Sequence, residues 1–434
     1  MSSSRKRYAV VGIGSRSAMY TKAITERYAD AAELVALCDT NQARMNLRKG
    51  ELPAGYADVP TFPAGQFDRM VKQAKPDAVI VTSVDATHSD YIVRAMQLGC
   101  DVVTEKPMTT DEQRCDRILR TIKQTGRKLQ VTFNYRYAPP RSQVKEVLEA
   151  GAIGRIVGVD FHWLLDTRHG ADYFRRWHRR RENSGSLLVH KATHHFDLVN
   201  WWLGARPVEV FAFGRRTFYT PQTADEIHGL TGRSERCHTC KVSGKCPFFL
   251  DLAANEGLRK MYLECEQEDG YFRDRCVFSD QIDIWDAMNV SVRYDTGATM
   301  SYSLNAYMPM EGYVIAFNGD RGRLEHRACE NTYISGDGTV PGELEKGKVS
   351  ITLIPAFRSP EDLEVHTGKG GHGGGDVVLL DDVFLPNPPA DPLGRKAGHL
   401  DGTYSILTGI AAYRSIDSGR PVKIAELVDE SLLT

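Results

Sequence analysis

The sequence predicts an α/β fold: a doubly wound N-terminal domain, then a second domain that contains β-hairpins and ends in a long helix. Three observations carry this. The 434 residues exceed one ordinary core and suffice for two domains. The segment "RYAVVGIGSRS" reads as a buried strand that breaks into a glycine turn. From residue 75 to 108, "KPDAVIVTSVDATHSDYIVRAMQLGCDVVTEKPM" keeps a strand–helix–strand rhythm.

Composition is that of a globular protein, with 41% hydrophobic residues, 26% charged residues and a net charge of −1. That balance gives no electrostatic case for a nucleic-acid partner or an anionic membrane. No apolar stretch is long enough to span a bilayer. The opening "MSSSRKRYAVVGIG" has basic residues and a short apolar run, but it enters a glycine turn and lacks a small-residue cleavage site. It reads as a leader of about six residues before the first strand. Nine cysteines, an odd number in a long chain, argue against a disulfide framework and make a reducing cytoplasm the default.

Within the glycine turn, Gly12 and Gly14 fill the first two places of G-x-G-x-x-G, and Ser17 takes the third. Gly12 permits the tight turn. Gly14 lets backbone approach a pyrophosphate, with Ser15 and Arg16 beside it. The helix that follows would aim its positive end at the phosphates. A second strand, "ELVALCD", ends at Asp39. A carboxylate there accepts from adenosine ribose hydroxyls and repels a 2′-phosphate, so NAD is favoured over NADP. The alternative role for Asp39 is a cap on the helix "NQARMNLRKG". Later strand ends bring Thr82, Ser83, Glu105 and Lys106 to the edge where open α/β sheets bind ligands, and His88 opens the intervening helix. Lys106 is expensive to bury unless paired, and Glu105 is adjacent.

The glycine turn, Asp39, the strand-end "EKP" and the later "FNYRYAPPR" together resemble the glucose–fructose oxidoreductase / inositol dehydrogenase / MocA (Gfo/Idh/MocA) family. The similarity runs from Arg7 through 190–197 and resumes in the final helix. It implies an NAD(P)-binding Rossmann domain over 1–133 and a C-terminal α+β domain over 134–434. The latter would hold a large, mostly antiparallel sheet through which the chain forms a dimer or tetramer. The resemblance also implies that Lys106 sits by the nicotinamide and bonds the reacting hydroxyl. Asn134, Tyr135 and Arg136 would lie at the crossing between domains, Asn134 toward the cofactor and Arg136 toward the substrate.

The densest group of titratable residues is "SLLVHKATHHFDLVNWW", 186–202. The run from Leu187 to Leu203 has no Pro or Gly and stops at Gly204, which predicts one helix. On it His190 and His194 would share a face, Lys191 and His195 would form a second pair, and Asp197 could touch His194. Three readings are open: a solvated polar face, a metal site with His372 as a further donor, and proton transfer, which is favoured. The family carries G-G-x-x-x-D-x-G-x-H-x-x-D at this place. Here "SGSLLVHKATHHFD" aligns His194 and Asp197 with the final H-x-x-D and puts His190 where the Asp usually stands. The expected roles are His194 as base, Lys106 as alkoxide stabiliser and His190 as alternative base or support. Asp197 would orient His194, and Lys191 would hold a neighbouring imidazole neutral. His195 either contacts substrate or fills the core.

Upstream, "DTRHGADYFRRWHRRRENSG" interleaves arginines with Tyr173, Phe174 and Trp177. A solvated loop and a sugar site are both open. In the second, an aromatic face receives a pyranose ring, with Arg176, Trp177 and His178 as the contacts. Downstream, "RCHTCKVSGKCPF" brings Cys237, Cys240 and Cys246 together within an insertion at 221–280 that also contains Cys265 and Cys276. Structural zinc on Cys237, Cys240, Cys246 and Cys276, unliganded thiols, an iron–sulfur cluster and disulfides are the alternatives. A hairpin is expected around Asp295–Gly297. "GKGGHGGGD", 368–376, is either a surface loop or a loop over the cleft with His372 and Asp376 reaching in. The final helix, 402–418, would return to the first domain.

The expected activity is that of an NAD-dependent dehydrogenase acting on a secondary hydroxyl of a sugar, glycoside or polyol. Redox-assisted glycoside cleavage with retained NAD is the second expectation. A nucleotide-binding regulator without catalysis is the third.

Overall fold

A computed structural model describes residues 5–331, 348–368 and 374–433. His372 lies outside the described residues. The first domain holds six strands: β1 (Lys6–Val11), β2 (Ala32–Asp39), β3 (Thr61–Pro63), β4 (Ala78–Val81), β5 (Asp101–Thr104) and β6 (Leu129–Val131). All pair in parallel, in the order β3-β2-β1-β4-β5-β6. Most of their residues are buried, and β4, the apolar run "AVIV", is buried throughout. The crossovers are α1 (Ser17–Lys22, continued by a π turn to Arg27), α2 (Gln42–Gly50), α3 (Phe67–Ala74), α4 (His88–Gln97) and α5 (Glu112–Thr125). Strand order reverses between β1 and β4, so a crevice opens at the glycine turn after β1.

A short 3₁₀ turn over Asn134–Tyr137 and α6 (Pro139–Glu149) lead into the second domain. Its nine strands are β7 (Ile156–Asp166), β8 (Pro207–Arg215), β9 (Ala287–Tyr294), β10 (Thr299–Met308), β11 (Glu311–Gly319), β12 (Gly322–Asn331), β13 (Val349–Pro355), β14 (Glu361–Asp362) and β15 (Val422–Lys423). Their order is β14-β13-β12-β11-β7-β10-β9-β8-β15. Only the β7–β10 pair is parallel. The sheet is therefore mixed and mostly antiparallel, beside a Rossmann-type parallel sheet. The hairpin at Asp295–Gly297 joins β9 to β10.

Between β7 and β8 lie α7 (Thr167–Arg175), α8 (Arg181–Ser184), α9 (Leu187–His190) and α10 (Thr193–Leu203). The single helix expected over 187–203 is thus two, broken at Lys191–Ala192. At the break the Ala192 amide reaches back to Leu187, and the His194 amide takes the Lys191 carbonyl. The His190 carbonyl, which an unbroken helix would give to His194, is left for another donor.

The segment 221–280 has short helical pieces, including α11 (Glu256–Leu258) and α12 (Glu266–Asp269). The last third adds α13 (Gly375–Phe384) and α14 (His399–Ser418). A Cβ on Gly409 of α14 would lie 2.2 Å from the Leu188 carbonyl oxygen, so glycine lets this helix press on α9. One apolar core runs through both domains, from Val79 and Val131 to Leu188 and Ile406. Among the described residues, no helix is long and apolar enough to cross a membrane.

Candidate active site

The nucleotide half of the site is built at the carboxyl ends of the parallel strands. Gly12 has φ +86°, and a Cβ there would stand 2.4 Å from the backbone of Ser83. Only glycine fits. A Cβ on Gly14 would meet nothing within 4 Å, so the turn presents bare backbone to open space. Ser17 ties the turn down by donating to the Gly14 carbonyl at 2.7 Å. Asp39 accepts from the amides of Ile13 and Asn41. Its carboxylate holds the glycine turn as well as facing the cleft. Burial pushes its pKa up, and those amide bonds pull the other way. The cap on α2 is Asn41. Thr82 donates to the Gly12 carbonyl at 2.6 Å, and Ser83 bonds Thr87 at 2.8 Å. The His88 ring lies 2.9 Å from the Pro107 carbonyl and 3.1 Å from that of Ser83.

Glu105 does not pair with its neighbour Lys106. It accepts from the Arg16 guanidinium at 2.5 Å and from the Tyr20 hydroxyl at 2.7 Å. Lys106 turns the other way and donates to the freed His190 carbonyl at 3.2 Å. Burial pulls the Lys106 pKa down, to about 8, while the carboxylates of Asp85 and Glu105 pull it up. Asp85, one turn past β4, lies 2.5 Å from His190 Nδ1. Burial drives the His190 pKa well below its usual value, and the Lys106 charge adds to this. Burial drives the Asp85 pKa well above its own. His190 also meets the His178 ring at 4.1 Å and the Trp177 ring at 5.6 Å. His194 stacks on Tyr135 at 4.1 Å, which fixes its ring plane. Lys191 donates to the Tyr135 hydroxyl at 3.2 Å.

Sequence reasoning did not find a second chain of titratable groups on the same wall. The Tyr173 hydroxyl lies 3.1 Å from His169 Nε2, and His169 Nδ1 lies 3.1 Å from Glu311. Asp166 caps the start of α7 and so sets the His169 backbone. Glu311 is fully buried and also accepts from the Asp166 amide at 2.7 Å. Burial alone would raise its pKa, but His169 and Lys191 outweigh that and hold it below the usual value. Nothing in the local spacing links residues 169 and 311. For Asp85 a signal existed, because it follows a strand carboxyl end as Lys106 does.

Several expected site residues face elsewhere. Arg136 grips Asp197 through two bonds of 2.8 and 2.5 Å and reaches Asp401 at 2.8 Å. This pair is sealed in the core and ties the interdomain turn to α10 and α14. Neither residue lines the cleft. Even with Arg136 on it, burial pushes the Asp197 pKa up, to about 7. His195 is wholly buried, stacked on Trp163 at 3.9 Å and bonded to the Tyr302 hydroxyl at 2.6 Å. It fills the core and does not line the cleft. Asp376 accepts from Asn134 at 2.8 Å at the start of α13.

The expected zinc site is not supported. Cys237, Cys240, Cys246 and Cys276 border one small apolar recess with Phe248 and Phe278. All four thiols are free, and among the described residues no group of three or more His, Cys, Asp or Glu is arranged to hold a metal. Burial pushes the Cys276 thiol up, to about 11. The nine cysteines form no disulfide.

The two halves open into one cleft of about 650 Å³. Gly12, Gly14 and Asp39 line one end, and Lys106, His190, Lys191 and His194 line the other. Arg176, Trp177 and His178 line the same cleft. The bare Gly14 backbone, the strand-end carboxylate and the open volume fit a dinucleotide.

Comparison with known proteins agrees with this architecture. Residues 6–133 match the family description "Oxidoreductase family, NAD-binding Rossmann fold", and residues 145–424 match its "C-terminal alpha/beta domain". The chain is 39% identical to "Putative oxidoreductase YteT" of Bacillus subtilis, over 96% of this chain and 97% of that protein. It is 30% identical to inositol 2-dehydrogenase of Rhizobium meliloti, over 48% of this chain and 57% of that one. The WlbA dehydrogenase of Bordetella pertussis, solved with NADH and UDP-GlcNAcA, shares the fold. Its TM-score is 0.62 and its identity 19%, over 96% of this chain and 98% of that one. The chain belongs to the Gfo/Idh/MocA family of NAD-binding oxidoreductases.

Proposed function

We propose that this protein is an NAD-dependent dehydrogenase of a secondary hydroxyl on a sugar, glycoside or polyol. The observation that carries the proposal is the single cleft in which Lys106 and His194 meet the glycine turn and Asp39. Gly12, Gly14, Ser15, Arg16, Asp39, Thr82, Ser83, His88, Glu105 and Asn134 would hold or frame the cofactor. Bound there, a nicotinamide supplies a hydride acceptor. The Lys106 ammonium holds positive charge beside the oxygen as it becomes an alkoxide. His194 takes the hydroxyl proton, its ring held flat by Tyr135. His190, backed by Asp85, stands behind Lys106 and fixes its direction through the main-chain carbonyl. Trp177 offers an aromatic edge to a sugar ring, and Arg176 and His178 offer polar contacts. The inositol dehydrogenase relative supports the substrate class. Asp39 supports NAD over NADP, and cysteines that form no disulfide support a reducing compartment. Exposed Phe213 and Val314 on the outer face of the large sheet support a homo-oligomer through that face. The test is a panel of sugars, glycosides and polyols followed by nicotinamide absorbance. Reduction of NAD by one class of them is expected, and none across the panel would count against the proposal.

A second reading, redox-assisted glycoside cleavage, is favoured by the Tyr173–His169–Glu311 chain. Elimination needs a proton acceptor at a carbon next to the oxidised one. Tyr173 can pass a proton to His169, and Glu311 balances the resulting charge. Release of nitrophenol from a nitrophenyl glycoside without net NADH would favour this reading over the first.

A further inference from the structure

The insertion between β8 and β9 does not hang free. Its segment 259–271 docks on the first domain beside the nucleotide half of the cleft. The Tyr262 hydroxyl lies 2.6 Å from that of Ser15 in the glycine turn. Asn41 donates to the Cys265 carbonyl at 2.8 Å, and the Ala43 amide donates to the Glu268 carboxylate at 3.0 Å. Arg44 donates to the Met261 carbonyl at 3.1 Å and pairs with Asp269 at 2.5 Å. Its guanidinium also lies 5.7 Å from the Tyr262 ring centre and 5.8 Å from that of Tyr271. Every one of these contacts falls on the glycine turn or on the residues just after Asp39. Those are the two segments that would hold the diphosphate and the adenosine.

The segment also supplies wall. Tyr262, Asp269 and Tyr271 line the same cleft as Gly14 and Asp39. Behind them Arg176 and Arg273 share one carboxylate, Asp172, at 3.2 and 2.6 Å. Two guanidinium charges against one carboxylate leave positive charge beside Tyr262 and Tyr271. Arg44, a guanidinium close enough to Asp39 to tempt a 2′-phosphate, is already taken by Asp269.

We propose that residues 259–271 are a clasp that completes the dinucleotide site and slows release of the bound cofactor. This rests on the nicotinamide reading above and adds to it. Release then requires breaking the contacts to Ser15, Asn41, Ala43 and Arg44 together.

The test is displacement of bound NADH by excess NAD, read by NADH fluorescence, on the wild-type chain and on Tyr262→Ala, Tyr262→Phe and Asp269→Ala. The wild type is expected to keep nucleotide through gel filtration. Tyr262→Ala and Asp269→Ala should release NADH at least about tenfold faster, with Tyr262→Phe between. Should the alanine variants misfold, hydrogen exchange on the wild type decides: NADH should protect the amides of 259–271. Equal release from all chains, or no protection of that segment, overturns the clasp while leaving the nicotinamide reading intact. Failure of the wild type to bind NADH at all overturns both.

Discussion

The ammonium of Lys106 is held by the main-chain carbonyl of His190 at 3.2 Å, across the boundary between the two domains. That bond exists because the helix breaks after His190. An unbroken helix would spend the same carbonyl on the His194 amide, leaving a buried ammonium without this acceptor. The break therefore points Lys106 into the cleft and rotates His194 away from His190 and onto Tyr135.

If Lys106 stabilises the alkoxide as proposed, its charge should set one limb of the pH profile. Burial lowers its pKa to about 8. The group is charged below that value and neutral above it, so alkoxide stabilisation is lost as pH rises through it. Turnover of a substrate found by the panel should fall on the alkaline side near that pH. Lys106→Arg, whose charge persists, should lose that limb while keeping a reduced rate. An identical alkaline limb in Lys106→Arg would refute the assignment.

The Arg136–Asp197 pair is structural, so breaking it should cost folding and not chemistry. Removing one partner of a buried ion pair leaves an uncompensated charge and costs about 3–5 kcal/mol. Arg136→Ala should lower the urea midpoint accordingly. Its remaining folded fraction should turn over at close to the wild-type kcat. A stable Arg136→Ala with a collapsed kcat would instead place Arg136 at the substrate.

Cofactor choice should follow Asp39. Asp39→Ala removes the repulsion of a 2′-phosphate, and it also frees the amides of Ile13 and Asn41. Affinity for NAD should drop by about tenfold or more, while the ratio of NADP to NAD use rises. Titration of both nucleotides by protein fluorescence checks this. An unchanged ratio would remove Asp39 from the ribose.

Metal should not matter to stability. The thiols of Cys237, Cys240, Cys246 and Cys276 sit in an apolar recess without metal-binding geometry. Purified protein should carry far less than one zinc per chain, and a chelator should leave Tm unchanged. A stoichiometric metal whose removal lowers Tm would reverse this conclusion.

Local signals made the first domain legible. Gly12, Asp39 and the strand ends at Thr82 and Lys106 each announce themselves by position within a strand–turn–helix unit. The second domain was less so. The break at Lys191–Ala192 carries no Pro or Gly, because tertiary contacts create it: Lys106 takes the carbonyl, and Gly409 lets α14 press on α9. Arg136 and Asp197 looked like site residues because their types suit chemistry, yet sixty-one positions apart they satisfy each other. The Tyr173–His169–Glu311 chain and the docking of Tyr262 on Ser15 join distant segments. Such pairings leave no periodicity and no spacing to read. The cysteine spacing suggested a ligand set, but the fold places those thiols around an apolar recess without the geometry of one.

The central claim is that Lys106 and His194 act on one carbon–oxygen unit. Single-turnover hydride transfer on the best substrate of the panel, in wild type, Lys106→Met, His194→Ala and the double variant, tests it most directly. Each single variant should slow the step by about a hundredfold or more, and the double variant should be far less impaired than the product of the two, as for groups that act as a unit. A wild-type rate in either single variant, or fully multiplicative losses in the double, would contradict it.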